Sequence, residues 1–152
     1  MNLRLESRGS VLGYQIHTTE KEDLLGIIKL FESLPAVEKK HLALNSKMDV
    51  IRREIRAGRH AYVLVTEKGI GAFARESGRP NKFIMLEEIV VHPEMRGKGL
   101  GSNLLSWLLE KYPKVLAKTF AGNEPIAGLF QKHGFKVVKT SPKGEIMYWE
   151  RS

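Results

Sequence analysis

The chain contains no cysteine. That excludes disulfides, thiolate metal sites and a cysteine nucleophile. It says little about compartment, and a reducing cytoplasm is the default expectation. No apolar run approaches the ~18 residues that a membrane-spanning helix needs. No membrane association is therefore expected. The opening stretch Met1-Asn2-Leu3-Arg4-Leu5-Glu6 carries charge inside its apolar residues, so it does not read as a signal peptide. Linkers, internal repeats and low-complexity tracts are also missing. The 152 residues are expected to form one domain, 1–152, with a sizeable core. Acidic residues are the scarcer charge: 25 Lys+Arg against 17 Asp+Glu leave a net +8. This excess favours anionic partners. Nucleic acid, a membrane surface and a small polyanion such as a nucleotide cofactor all qualify.

Hydrophobic residues make up 42% and charged residues 28%, an ordinary globular balance. Their spacing predicts a strand over Val11–Thr18 and helices over Glu20–Leu34 and Glu38–Ala57. Two β-rich runs follow, Ala61–Thr66 and Ile70–Arg75, joined by Glu67-Lys68-Gly69. Ser77-Gly78-Arg79-Pro80-Asn81 reads as a turn. Lys82–Val91 is apolar at alternating positions of both parities, which predicts a central strand covered on both faces. A helix over Gly99–Lys111, a strand over Val115–Phe120 and a helix from Asn123 to His133 come next. Phe135–Thr140 and Glu145–Trp149 close the chain as two strands. The order β-α-α-β-β-β-α-β-α-β-β predicts an α/β (α+β) domain, a mixed sheet flanked by helices.

The most informative segment is Val91-His92-Pro93-Glu94-Met95-Arg96-Gly97-Lys98-Gly99-Leu100-Gly101-Ser102. A covered strand ends, Pro93 turns the chain, glycines alternate with larger residues, and a helix begins. A helix start exposes about four unpaired N–H groups and carries roughly half a positive charge. Glycines let a diphosphate approach such a backbone closely. Arg96 and Lys98 add charge, and Ser102 adds a hydroxyl. A glycine-rich turn before an ordinary helix would account for the glycines, but not for two cations inside the loop. The P-loop and dinucleotide-binding spacings are both absent.

Arg96-x-x-Gly99-x-Gly101 after Val91-His92-Pro93 resembles the acetyl-CoA signature of the GNAT superfamily of N-acetyltransferases. Downstream, Asn123, Leu129, Phe130, Lys132, Gly134 and Phe135 are similar to that family's second motif. The element order over residues 11–150 matches as well. The resemblance implies a mostly antiparallel sheet of about seven strands with about four helices. It implies that Lys82–Val91 and Val115–Phe120 splay apart around the pantetheine arm of coenzyme A. Backbone groups of Ile89, Val90 and Val91 would meet that arm. Arg96, Gly97, Lys98, Gly99, Leu100, Gly101 and Ser102 would hold the pyrophosphate. Asn123 would lie beside the arm, with plain helix capping as its other reading. Phe130 falls where the family usually has a tyrosine read as the acid for the leaving thiolate. Phenylalanine cannot donate a proton, so water, the amine's own proton or Tyr148 would have to serve.

Transfer to an amine also needs a base, because an amine with a pKa near ~10.4 arrives protonated. Glu87 and Glu88 interrupt the apolar strand. Burying them is costly unless they are paired or used. On a regular strand they point to opposite faces. Glu87, nine residues before Arg96, matches the catalytic carboxylate of the family's polyamine acetyltransferases. Glu88 is the alternative, and either could instead pair with a nearby Lys or Arg. His92, His133 and His60 are further candidate bases, and the histidines form no metal-ligand spacing. Arg52, Arg53, Arg56 and Arg59 read as a solvated helix face or as a dock for an anionic acceptor. The acceptor is expected to be a small-molecule or protein amine. A nucleic-acid-linked amine and a non-catalytic acyl-CoA-binding module are the alternatives. Family members are often homodimers, though nothing in the residues themselves argues for it.

Overall fold

A computed structural model describes residues 9–11, 13–40, 44–79, 82–112 and 114–151. The chain begins with β1 (Gly9–Val11) and β2 (Tyr14–Thr18), followed by the helices α1 (Leu24–Glu32), α2 (Ala36–Lys40) and α3 (Leu44–Ala57). Strands β3 (Ala61–Thr66), β4 (Gly69–Arg79) and β5 (Phe83–Val91) come next. Then follow α4 (Leu100–Lys111), β6 (Val115–Phe120), α5 (Glu124–Lys132), β7 (Phe135–Thr140) and β8 (Ile146–Arg151). The strands lie in one sheet, in the order β1-β2-β3-β4-β5-β6-β8-β7. Every pairing is antiparallel except β5 with β6. The expected mixed, mostly antiparallel sheet is present.

The differences from the expected elements have local causes. The run Val11–Thr18 is not one strand. Gly13 takes a positive φ of 85°, and β1 folds back on β2 as a hairpin. The run Glu38–Ala57 is helical wherever it is described, as α2 and α3; residues 41–43 lie outside the described residues. Glu20–Leu34 begins with a short 3-10 turn, where Glu20 N–H donates to Asp23 Oδ2 at 2.7 Å. Strand β4 runs on through Ser77-Gly78-Arg79, which the composition marks as a turn. Pro80 and Asn81 lie outside the described residues.

Helices cover both faces of the sheet, as the two-sided apolar pattern of β5 requires. On one face Ile27, Leu30 and Phe31 of α1 and Met48, Ile51 and Ile55 of α3 bury Val63, Phe73 and Val90. Phe31 meets Phe73 edge-on, with centroids 5.4 Å apart. On the other face Leu100, Leu104, Leu105 and Leu108 of α4 pack with Leu64, Ala72, Leu86, Phe130 and Trp149. No described helix is long and apolar enough to cross a membrane.

One irregularity shapes everything that follows. Arg75 pairs with Glu88, and the next residue of β4, Glu76, pairs with Leu86. Glu87 is therefore the extra residue of a β-bulge, which bends and twists its strand. The parallel ladder between β5 and β6 holds Ile84–Val115, Met85–Leu116 and Leu86–Ala117, and stops there. Beyond the bulge the two strands part.

Candidate functional site in the cleft between β5 and β6

The parted strands and the loop before α4 enclose a cleft of about 560 Å³. Its apex lies at Glu87, where the ladder ends, and its far end lies at the α4 N-terminus. Glu87, Glu88, Ile89, Val90, Val91, Arg96, Gly97, Gly99, Leu100, Gly101, Ser102 and Asn123 all line it. Residues as distant in sequence as Glu38 and Asn123 meet here only through the fold.

Backbone geometry builds the loop end. Gly97 and Gly99 have φ of 81° and 79°, a region that costs an L-residue roughly 1–2 kcal/mol. A Cβ at either would meet nothing within 4 Å, so the constraint is conformational and the space in front is open. Gly101 differs. A Cβ there would lie 3.1 Å from Val91 Cγ2 and 3.3 Å from Leu129 Cδ2, so its small size lets α4 pack against the cleft wall. Leu100 and Val90 bury their side chains in the two cores, leaving backbone to face the cleft.

The side chains of two expected contributors do not line the cleft. Lys98 is exposed and borders a smaller pocket with Tyr14 and Lys68. Phe130 is only 1% exposed and packs against Phe135 and Trp149, centroids 5.3 and 5.7 Å away. It forms core rather than cleft wall, because α5 turns this apolar side chain inward.

Arg96 is committed within the protein. Its Nη1 and Nη2 donate to Glu38 Oε2 and Oε1 at 3.0 and 2.6 Å, and Nε and Nη2 also reach the Val91 carbonyl. This two-pronged pair ties α2 to the loop. Ser102 Oγ lies 2.7 Å from His133 Nε2. Burial, with Lys132 and Arg151 nearby, lowers the His133 pKa, so the ring stays neutral at neutral pH. The dipole at a helix C-terminus favours the opposite shift. His92 accepts from Glu94 N–H in the turn after β5, and His60 is bonded to Glu76. Asn123 stands at the N-cap of α5 but makes no capping bond. Its Oδ1 is buried without a hydrogen-bond partner among the described residues.

Side chains build the apex. The expected strict alternation of the two glutamates fails at the bulge, and both residues line the cleft. Glu87 Oε1 lies 2.8 Å from Lys118 Nζ on β6, across the gap. Glu88, 7% exposed, is 3.5 Å from Arg75, which also lies 3.6 Å from Glu54. Burial raises the Glu54 pKa to about 7, against the pull of Arg75 and His60. Sequence patterns missed Lys118, Arg75 and Glu38. The only signal for Lys118 and Arg75 was a charge inside an otherwise apolar strand, and Glu38 had none. The arginines Arg52, Arg53, Arg56 and Arg59 do not line the cleft; Arg52 lies 3.6 Å from Asp49 on its own helix.

The family model for an acetyltransferase (GNAT) domain matches residues 57–137, a span that contains the loop, both parted strands and α5. No curated protein matches the chain by sequence. Among solved structures, a GNAT-family acetyltransferase from Streptococcus agalactiae is similar over 94% of this chain and 98% of its own, with 18% identity and a TM-score of 0.76. The ribosomal-protein-S18-alanine N-acetyltransferase of Escherichia coli is similar over 91% of this chain and 92% of its own, with 17% identity and a TM-score of 0.68. Arabidopsis thaliana Naa50, in complex with the bisubstrate analogue CoA-Ac-MVNAL, is similar over 93% and 99%, with 16% identity and a TM-score of 0.69. Motif, parted strands and family model agree, and the chain belongs to the GNAT acetyltransferases, a family that uses acetyl-CoA.

Proposed function

We propose that this chain, as one acyltransferase domain, moves an acetyl group from acetyl-CoA to a primary amine of a small metabolite or protein. The observation that carries the reading is the cleft itself. A strand pair that stops at Leu86–Ala117 opens toward a helix start whose glycines leave its amides approachable. The residues suit coenzyme A. The amides of Gly97–Ser102 would take the pyrophosphate. The unladdered edge of β5 at Ile89 and Val91 would meet the amide-bearing arm. Asn123 Oδ1, buried without a partner among the described residues, would accept from an arm amide. Acetyl-CoA supplies the activated acyl group as a thioester.

The protein's own groups do the rest. Glu87 sits at the closed end of the cleft, and its carboxylate accepts the proton that the amine must lose. Glu88 is held by Arg75 and serves as a fixed charge beside it. A protein or peptide amine gains support from the similar structures: one is a ribosomal-protein-S18-alanine N-acetyltransferase, and another holds the bisubstrate analogue CoA-Ac-MVNAL. A nucleic-acid-linked acceptor gains none from the arginine helix, which does not reach the cleft.

Calorimetry with coenzyme A, followed by thiol release from acetyl-CoA across a panel of small amines and peptide N-termini, tests this reading. Binding with amine-dependent thiol release is expected. Binding without release for any amine reduces the protein to an acyl-CoA-binding module. No binding rejects the proposal.

A further inference from the structure

We propose that Lys118, the cation across the cleft from Glu87, carries the leaving sulfur's negative charge in place of a hydroxyl acid. The inference rests on the acetyltransferase reading above. It begins with what the apex lacks. Phe130 has no hydroxyl and lies in the core. Tyr62 and Tyr112 are hydrogen-bonded to each other. Thr119 Oγ1 accepts from Trp149 Nε1 at 2.9 Å in a buried pair. Ser102 is engaged by His133 at the loop end. Tyr148, the register partner of Lys118 on β8, does not line the cleft.

Two cations remain near the apex. Arg75 is shared between Glu54 and Glu88. Among the described residues Lys118 forms an ion pair with Glu87 at 2.8 Å, and its side chain is one-third exposed, at 34%. The first residue past the last ladder pair on each strand is therefore a carboxylate on β5 and an ammonium on β6. With the charged end of a ligand at the α4 loop, its reactive end lies toward this pair.

The pairing has a chemical consequence. In the transfer the amine nitrogen bonds to the acyl carbon, the carbon–sulfur bond breaks, and its electron pair stays on sulfur. The ammonium's first proton is lost to solvent before the attack, and the proton that the nitrogen sheds on bonding goes to Glu87. The carboxylate becomes neutral as the sulfur becomes an anion, so atoms and charge balance. Lys118 faces one negative charge before the step and one after it. No new charge has to be gathered from solvent, which is the condition for effective electrostatic stabilisation.

The test reads the thiol of bound coenzyme A directly. Thiolate absorbance is followed against pH with protein in excess over coenzyme A, in Glu87→Gln, whose neutral amide stands for the protonated carboxylate, and in that variant carrying Lys118→Met, Lys118→Gln or Lys118→Arg. An opposite charge within about 4–6 Å lowers an acid's pKa by roughly one to three units. With Glu87 replaced by the neutral glutamine, the bound thiol is expected to titrate that much below free coenzyme A. Lys118→Arg should retain most of the shift, and Lys118→Met or Lys118→Gln should abolish it. A bound thiol that titrates like free coenzyme A overturns the proposal and leaves the acetyltransferase reading intact. A shift that survives both uncharged variants does the same, since Lys118 then only positions Glu87. Failure of the wild type to bind coenzyme A overturns the underlying reading and this inference with it. If one uncharged variant fails to fold, the other decides.

Discussion

The two ends of the cleft manage charge by different means. At the loop end, backbone does the work: glycines with positive φ open a helix start, and the conspicuous cation, Arg96, is neutralised by Glu38. At the apex, side chains from strands far apart in sequence form ion pairs across a gap, Glu87 with Lys118 and Glu88 with Arg75. The first arrangement suits a ligand group whose charge never changes, since helix-start amides are fixed dipoles. The second suits a place where charge moves, because a carboxylate can take a proton while its partner keeps its own. Damage at the loop end should therefore appear in affinity, and damage at the apex in turnover.

The largest expected break is Gly99→Asp. A side chain at this φ is strained, and the carboxylate would face the pyrophosphate. Coenzyme A affinity should fall at least about a hundredfold, some 2.7 kcal/mol. Gly99→Asn, which tolerates the left-handed conformation and adds no charge, should fall between the two. Equal affinities for wild type and Gly99→Asp by calorimetry would reject the phosphate assignment.

Next comes Glu87→Gln, the apex counterpart. Turnover should drop by about a hundredfold, the lower range for a lost general base. Coenzyme A affinity should stay within about threefold. A loss of affinity matching the loss of turnover would erase the contrast between the two ends.

The same contrast separates what the residue pattern reveals from what it hides. The loop is local: strand, proline, glycines and helix start are contiguous from Val91 to Ser102, so their spacing alone suggests a phosphate cradle. The fold followed too, because each amphipathic face repeats at its own period. The apex is not local. That Glu87 meets Lys118 depends on a bulge between Arg75 and Glu76, and nothing in the alternation of Phe83–Val91 marks it. The expectation that Glu87 and Glu88 oppose each other fails for that reason. Arg96 shows the limit differently: its charge is plain in the sequence, but its carboxylate partner stands on α2, far up the chain. Phe130 could be read as a missing hydroxyl, yet its burial against Trp149 required the register of β7 and β8.

A smaller effect is expected from Asn123→Ala. If Oδ1 accepts one amide hydrogen bond from the arm, its loss should cost about 0.5–1.5 kcal/mol, roughly two- to twelvefold in coenzyme A affinity. Because Asn123 makes no capping bond, stability should change little. A drop in Tm without weaker binding would assign Asn123 to the helix instead.

The smallest effect sharpens the comparison from behind the apex. Glu54 is raised from its ordinary value to about 7 by burial. The folded state thus holds this proton more tightly than the unfolded chain. Between about pH 4.5 and 7 the native state binds more protons, so its stability falls as pH rises. Glu54→Gln removes that term while keeping a group that can accept from Arg75. The variant should gain on the wild type by about 1 kcal/mol at pH 8, with the advantage shrinking toward pH 5. Thermal unfolding at the two pH values measures it. An advantage equal at both would mean that Glu54 is ionised throughout and Arg75 is shared between two charges. In that case Glu88 would have a weaker hold on its partner, and the apex would contain one more carboxylate able to compete with Glu87 for the amine's proton.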